Sequence, residues 1–282
     1  MHKITVIAIL YNEEKRLEGY FKNIAGVADS VVVVDCGSSD RTVEICKKHG
    51  AKVVESKARF FEPNIGRLLN AAPEGWLLVV SADERLSEAL KLEMREALEK
   101  HGSSTDVFFI KRINYLFDGF STRSTINAFE WRLFRKGSVT WPKRTPHEVP
   151  LVSGRTRRLE NVMYHYAYTD TECFVRKMQE YIFVLPSEFT KEKKVAVTSG
   201  ERDWRIRAFF GSHGFRKHYV YPVFRVFDLL FRHRLVLDGW RGLNYAILNG
   251  FYEFVDETVH WERASKAEKK STLDWSQEYP VE

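Results

Sequence analysis

Asp35, Asp83, Glu13 and Tyr11 have the most to say about chemistry, because each stands just past an apolar run. Val31 to Val34 lead without interruption into Asp35, followed by Cys36-Gly37-Ser38-Ser39-Asp40-Arg41-Thr42. Ile4 to Leu10 end in Tyr11-Asn12-Glu13-Glu14, and Trp76 to Ser81 end in Ala82-Asp83-Glu84-Arg85. Branched residues without alternation describe strands buried on both faces, as in a parallel sheet. In open α/β sheets ligands collect beyond the carboxyl ends of such strands. Three carboxylates and a ring at those ends are therefore groups placed to hold a ligand. Gly37 gives the loop after Asp35 its backbone freedom, and Asp40 is placed to cap the next helix. Taken alone, the loop after Asp35 reads equally well as an ordinary strand-to-helix turn closed by polar residues.

The elements that must position these groups follow from periodicity. Leu17, Tyr20, Phe21 and Ile24 repeat at i, i+3, i+4 and i+7, which predicts a helix after the first strand. A second helix is expected from Thr42 to His49, a third strand over Lys52 to Glu55, and a fourth over Trp76 to Ser81. Ser87 has the character of an N-cap, with Glu88 in the first helical turn behind it. Such alternation implies parallel strands joined by right-handed crossovers. Three strand ends then share one edge.

At 282 residues the chain can bury a full core, and one domain with an appendage fits better than two equal domains. Hydrophobic residues make up 44%, an ordinary share, but 14% aromatic is rich, and the net charge is +6. The three cysteines, Cys36, Cys46 and Cys173, share no metal-like spacing and suit a reduced cytoplasm. No secretory leader opens the chain, and no apolar stretch approaches the ~20 residues that span a bilayer. No internal repeat is evident, and Glu262 to Lys270 reads as disordered or loosely helical.

Tyr-Asn-Glu-Glu from Tyr11, Val-Asp-Cys-Gly-Ser-Ser-Asp-Arg-Thr from Val34 and Ser-Ala-Asp-Glu-Arg from Ser81 together resemble family 2 glycosyltransferases, inverting enzymes with the GT-A fold. Glu130-Trp131-Arg132-Leu133-Phe134-Arg135, Pro146-His147-Glu148, His165-Tyr166 and Leu237-Asp238-Gly239-Trp240-Arg241-Gly242 are similar to the bacterial branch that includes lipopolysaccharide-core β-glucosyltransferases. The likeness runs from residue 3 to about 255. It implies an α/β fold with a Rossmann-like, mostly parallel sheet flanked by helices. It also implies a nucleotide-sugar donor: Tyr11 to stack on the base, Asp35 to accept the imide proton of uracil, and Glu13 to hold ribose hydroxyls. A divalent cation, Mg or Mn, would neutralise the diphosphate, with Asp83 among its hard oxygen ligands.

Two departures from the family pattern stand out. Ser81 occupies the place of the first aspartate of the usual Asp-x-Asp, which weakens the metal site or shifts part of it elsewhere. The segment Asn64-Ile65-Gly66-Arg67-Leu68-Leu69-Asn70 has shifted spacing, with Arg67 a candidate donor contact. Inverting transfer also needs a base on the acceptor side. Glu148, following His147 after Pro142 and Pro146 in a loop-like segment, is the first candidate, and Asp118 in Phe117-Asp118-Gly119 the second. His165 lies in a strand-like aromatic stretch and reads either as a metal or diphosphate contact or as a structural hydrogen-bonding residue.

From Trp204 to Arg234 seven Lys or Arg stand against one acid, Asp228, with nine aromatic residues interleaved. Pro222 is placed to start a helix. On it Val223, Phe227 and Leu230 share an apolar face, joined by Phe224 and Phe231, with Arg225 and Arg232 opposite. A basic helix with an aromatic face suits the surface of an anionic leaflet. A helix packed on the catalytic domain is the competing reading. Nucleic-acid binding, the third, has no recognised module beside the cluster. The sequence thus leads to a transferase core over 1–170 and a helical, basic-aromatic extension over 171–282. Its expected reaction moves a hexose from a UDP-sugar to a lipid-linked or lipopolysaccharide-core acceptor. The protein would be cytoplasmic and peripheral to the inner membrane, with no nucleic-acid partner. Transfer to polyprenyl phosphate or another envelope glycan, and a catalytically weakened GT-A module that only binds, are the alternatives.

Overall fold

The computed structural model describes residues 2–58, 61–140, 150–184 and 219–269. Strands β1 (Ile4–Leu10), β2 (Ser30–Asp35), β3 (Lys52–Glu55) and β4 (Trp76–Val79) pair in parallel in the order β3-β2-β1-β4. Helices α1 (Glu14–Ile24), α2 (Thr42–Lys48) and α3 (Phe61–Ala71) connect them. The sheet then continues beyond β4 through β8 (Phe129–Arg135), β6 (Val107–Leu116), β11 (Thr156–Tyr168) and β5 (Glu84–Leu86). In this half β8 runs antiparallel to β4 and β6, β6 and β11 are parallel, and β5 is antiparallel to β11. The expected α/β fold is present, with its parallel pairing concentrated in the first four strands. No helix intervenes between β6 and β8, and without such a crossover neighbouring strands meet antiparallel. The short β7 (Gly119–Phe120) folds back on β6, and β9 (Val139–Thr140) pairs with β10 (Leu151–Val152).

The unbroken valines of β2 are explained by two cores. Val32 and Val34 face Ile65 and Leu68 of α3, while Val33 faces the side covered by Leu17 and Tyr20 of α1. Leu90 and Met94 of α4 (Glu88–His101) extend that second layer. Burying a valine side chain contributes roughly 1.5–3 kcal/mol, so a polar residue at any of these positions would be costly. Ser87 caps α4 as expected, its hydroxyl accepting from Leu90 N–H at 3.1 Å.

Three further helices gather against the far ends of β6 and β11: α5 (Thr171–Gln179), α6 (Tyr221–Phe227) and α7 (Trp240–Lys269). Leu116 packs with Leu229, Leu235 and Ala246, and Phe174, Met178 and Ile182 pack with Val259. The closing Leu237-to-Gly242 motif docks onto the turn between β6 and β7 and the loop that follows β7. Asp238 accepts from the Ser121 hydroxyl at 2.5 Å and from Arg123 N–H at 3.2 Å. Arg241 pairs with Asp118, and Trp240 stacks on Phe117.

Around Pro222 the expected helix forms, but Arg225 does not lie on an outward basic face as the sequence reading put it. Arg225 is buried and donates to Asp228 at 2.9 Å, and Arg232 pairs with the same carboxylate. The aromatic side is the open one: Phe227 is 55% and Phe231 63% exposed. The reason is spacing, since Asp228 lies three residues after Arg225 and four before Arg232: Arg225 turns inward beside the buried carboxylate, and Arg232 pairs with it from the surface. Phe224, expected on the open face, is only partly exposed. Residues 204–218 of that basic segment lie outside the described residues. Among the described residues no helix is long and apolar enough to cross a membrane.

Candidate functional site

The carboxyl ends of β1, β2 and β4 meet at one edge, and the loops that follow are laced together. Asn12 holds a positive φ, 52°, and its N–H donates to Ser38 Oγ at 2.9 Å. Its side-chain oxygen accepts from Ser39 N–H at 2.8 Å. Asp40 accepts from Thr42 N–H at 2.9 Å and from Glu14 N–H at 3.1 Å, so it satisfies the starts of both α1 and α2. Burial opposes its ionisation, but these hydrogen bonds outweigh it and hold the carboxyl below the usual range. Glu13 N–H donates to Thr42 Oγ1 at 2.8 Å.

Asp35 is buried, and its own loop uses its carboxylate. One oxygen accepts from Gly37 N–H at 3.1 Å and Ser38 N–H at 3.0 Å, the other from the Ser38 hydroxyl at 2.5 Å. Gly37 holds φ 82°, the conformation that aims its N–H back at Asp35. Tyr11 packs, partly buried, against the α3 side of the sheet. Arg67 sits exposed on α3.

Asp83 lies at the centre of the charged part of the site, in the turn between β4 and β5. Strand register brings its partners in. β11 sets His165 opposite Asn114 of β6 on one side and Glu84 of β5 on the other, and Tyr166 N–H donates to Asp83 O at 2.9 Å. His165 Nε2 stands 3.4 Å from Asp83 Oδ2. The other ring nitrogen, Nδ1, lies 2.7 Å from Asn114 Oδ1. The Asn114 amide is oriented by Asn127, whose oxygen accepts from Asn114 Nδ2 at 3.2 Å. His165 therefore donates from Nδ1 to Asn114; the charged ring also donates from Nε2 to Asp83, whereas the neutral ring would offer a lone pair there.

Two cations complete the cluster. Lys177 of α5 reaches Asp83 Oδ2 at 3.3 Å and donates to Ala167 O at 2.9 Å. Arg16 of α1 pairs with Glu13 at 2.6 Å. Burial opposes the charge on Asp83, but the His165 hydrogen bond and the charges of His165, Lys177 and Arg16 hold its carboxyl far below the usual range. Glu13 moves the other way: burial pushes its carboxyl up, against the pull of Arg16, and the charge of Asp83 adds to the rise.

Beneath this cluster lies a buried ion network. Glu84 is 1% exposed and receives Arg132 at 2.6 Å; Arg132 also meets Glu130 at 2.7 Å, and Arg112 meets Glu130 at 2.9 Å. The second oxygen of Glu84 accepts from Ser81 N–H at 2.8 Å, so the network fixes the turn that carries Asp83. Ser81 thus contributes a backbone donor where the family pattern has a carboxylate.

Asp83 Oδ2 and His165 Nε2, 3.4 Å apart, are a hard oxygen and an imidazole nitrogen, donor types that would suit a divalent cation. Among the described residues no third His, Cys, Asp or Glu joins them, so the remaining coordination positions would fall to donor oxygens and water. Asp118 lies at the turn after β6, half-exposed and engaged by Arg241. Glu148 lies outside the described residues. Sequence reasoning gave no role to Lys177, Arg16, Asn114, Glu84, Glu130 or Arg132. Two signals were available: Glu130 and Arg132 alternate on one strand face, and Lys177 lies one turn after buried Cys173 and Phe174.

The pattern described as glycosyl transferase family 2 matches residues 5–162, more than half of the chain. An uncharacterised glycosyltransferase of Rickettsia typhi is 24% identical over 236 residues, covering 78% of this chain and 80% of that protein. One from Rickettsia bellii is 26% identical over 235 residues, 78% of each. Among solved structures, Staphylococcus aureus TarS 1–349 is 15% identical with a TM-score of 0.49, over 96% of this chain and 93% of that one. Glucosyl-3-phosphoglycerate synthase from Mycobacterium tuberculosis, in complex with Mn2+, UDP and glucosyl-3-phosphoglycerate, is 20% identical. Its TM-score is 0.32, over 40% of this chain and 44% of that one.

Proposed function

The chain belongs to glycosyl transferase family 2 and is a glycosyltransferase, and from that premise we propose that it transfers a hexose, with inversion, from a UDP-sugar to a lipid-linked or lipopolysaccharide-core acceptor at the inner membrane surface. The observation that carries the donor half is the Asp83–His165 pair, 3.4 Å apart, at the edge shared by Asp35, Tyr11 and Glu13. In this reading Asp35, held rigid by Gly37 and Ser38, accepts the uracil imide proton, Tyr11 stacks on the base and Glu13 holds the ribose. Arg67 is the remaining donor contact. Asp83 and His165 hold Mg or Mn, which stabilises the leaving diphosphate when bound. Asn114 keeps the His165 proton on Nδ1, so that Nε2 stays available. Glu148 is the base that takes the acceptor proton.

The acceptor half rests on the open aromatic face. Val223, Phe227 and Phe231 of the α6 region are exposed together, and Trp240, Ile247, Phe254 and Trp261 recur every seven residues along α7, each exposed. An apolar face of this length suits insertion among headgroups.

The test is donor turnover. UDP-sugar hydrolysis that requires Mn2+ and is lost in Asp83→Ala supports the reading. Glu148→Gln should lower transfer by ~10²–10⁴-fold, the range of general-base loss, with donor affinity unchanged. Binding of no UDP-sugar, scored by thermal shift across a nucleotide-sugar series, would overturn it.

A further inference from the structure

The geometry points to Lys177 as the cation that neutralises Asp83 while the donor is absent and that passes to the donor's diphosphate when metal and nucleotide arrive. This inference rests on the donor-site reading above and adds a residue and an order of events to it.

The argument begins with charge. Asp83 and Glu13 carry two negative charges, and Lys177 and Arg16 carry two positive ones, within a single cluster at the strand ends. The neighbouring network is balanced as well, with Glu84 and Glu130 against Arg112 and Arg132. Within each of these groups of four side chains the charges therefore cancel before any ligand enters. A divalent cation binds a carboxylate oxygen at about 2.0–2.6 Å. On Asp83 Oδ2 it would stand close to an ammonium already 3.3 Å from the same atom. Metal alone adds two positive charges to a balanced site and meets Lys177 directly. A diphosphate brings the negative charge that lets both cations stay.

Lys177 is built for such an exchange. Its ammonium donates to Ala167 O at 2.9 Å and lies 5.5 Å from the centre of the Tyr168 ring, so it retains partners as it leaves Asp83. Its side chain is 28% exposed, open to an entering ligand. A flexible stem with a compact point charge suits phosphate oxygens without demanding one geometry. Metal and nucleotide should therefore each strengthen the binding of the other, and by linkage the two effects are equal.

The experiment measures Mn2+ binding by the electron paramagnetic resonance of free Mn2+, with and without UDP. It also measures UDP binding by calorimetry, with Mn2+ and with chelator. Wild type should bind Mn2+ at least tenfold more tightly when UDP is present. Lys177→Met should tighten Mn2+ binding without UDP by about tenfold and weaken UDP binding in chelator by a similar factor, so that the mutual strengthening shrinks. Lys177→Arg, which keeps the charge, should remain near wild type, and melting curves on all three identify any variant that fails to fold. Should Lys177→Met prove poorly folded, Lys177→Gln takes its place with the same expectations. If wild type binds UDP with Mn2+ and the neutral variant leaves Mn2+ affinity unchanged, the role of Lys177 is refuted and the donor site stands. If wild type binds no UDP under either condition, the donor-site reading itself falls.

Discussion

Replacing Arg132 with methionine tests whether the buried network holds the turn that presents Asp83. The arginine lies 2.6 Å from Glu84 and 2.7 Å from Glu130. Glu130 loses little, because Arg112 remains at 2.9 Å and its side chain is partly exposed. Glu84 loses most: it is 1% exposed, and its nearest remaining cation is Arg112 at 3.7 Å. Removing one partner of a buried ion pair costs roughly 3–5 kcal/mol, because the other charge is left without compensation. At about 2–4 °C per kcal/mol for a chain approaching this size, Arg132→Met should melt ~6–20 °C lower. Adding Glu84→Gln removes the stranded charge while keeping an acceptor for Ser81 N–H. The double variant should regain at least ~1 kcal/mol over Arg132→Met. Urea titration gives the free energies and calorimetry the melting temperatures. Destabilisation below ~1 kcal/mol in the single variant, or a further loss in the double one, would refute the reasoning.

Three other outcomes follow from the same geometry. Asp35→Ala should weaken UDP binding by calorimetry by roughly 1.5–3 kcal/mol, the worth of a hydrogen bond to a charged group; unchanged affinity would remove Asp35 from the base pocket. Burial opposes the charge on Asp228, but Arg232, then Arg225 and His233, hold its carboxyl below the usual range. The stability from these pairs is therefore complete above the unfolded carboxylate pKa and is lost as pH falls through the lower folded value. Asp228→Asn should lower the melting temperature at pH 7, with the gap to wild type closing in acid; a gap independent of pH would contradict the pairing. Phe227→Ser with Phe231→Ser should release the protein from anionic vesicles in sedimentation while leaving its melting temperature nearly unchanged; a large fall in melting temperature would show the rings to be core.

What the sequence made legible was local. A run of valines ending in Asp35, and Trp76 to Ser81 leading into Asp83, declare buried parallel strands because the pattern lies within a few residues. Ser87 as a cap and Asp40 at a helix start follow equally local rules. Local pattern did not join Asp83 to its partners, since His165, a candidate from the resemblance, and Lys177 reach it through strand register and a helix far along the chain. Arg225 and Arg232 illustrate a different failure. Counting positive charges suggested an outward basic face, while the intervening Asp228 at helical spacing from both was the clue that Arg225 turns inward and that Arg232 is paired.

The docking of Asp238 and Arg241 onto the β6–β7 turn has a consequence for synthesis. Arg241 and Asp118 are 123 residues apart in the chain. At about 5–20 residues per second on the ribosome, the turn waits roughly 6–25 s for the segment that staples it. Strands β1 to β4, by contrast, are complete by residue 79. The ribosome thus delivers the first four strands, and the loops that follow them, well before the segment that fastens the β6–β7 turn at the same edge of the sheet.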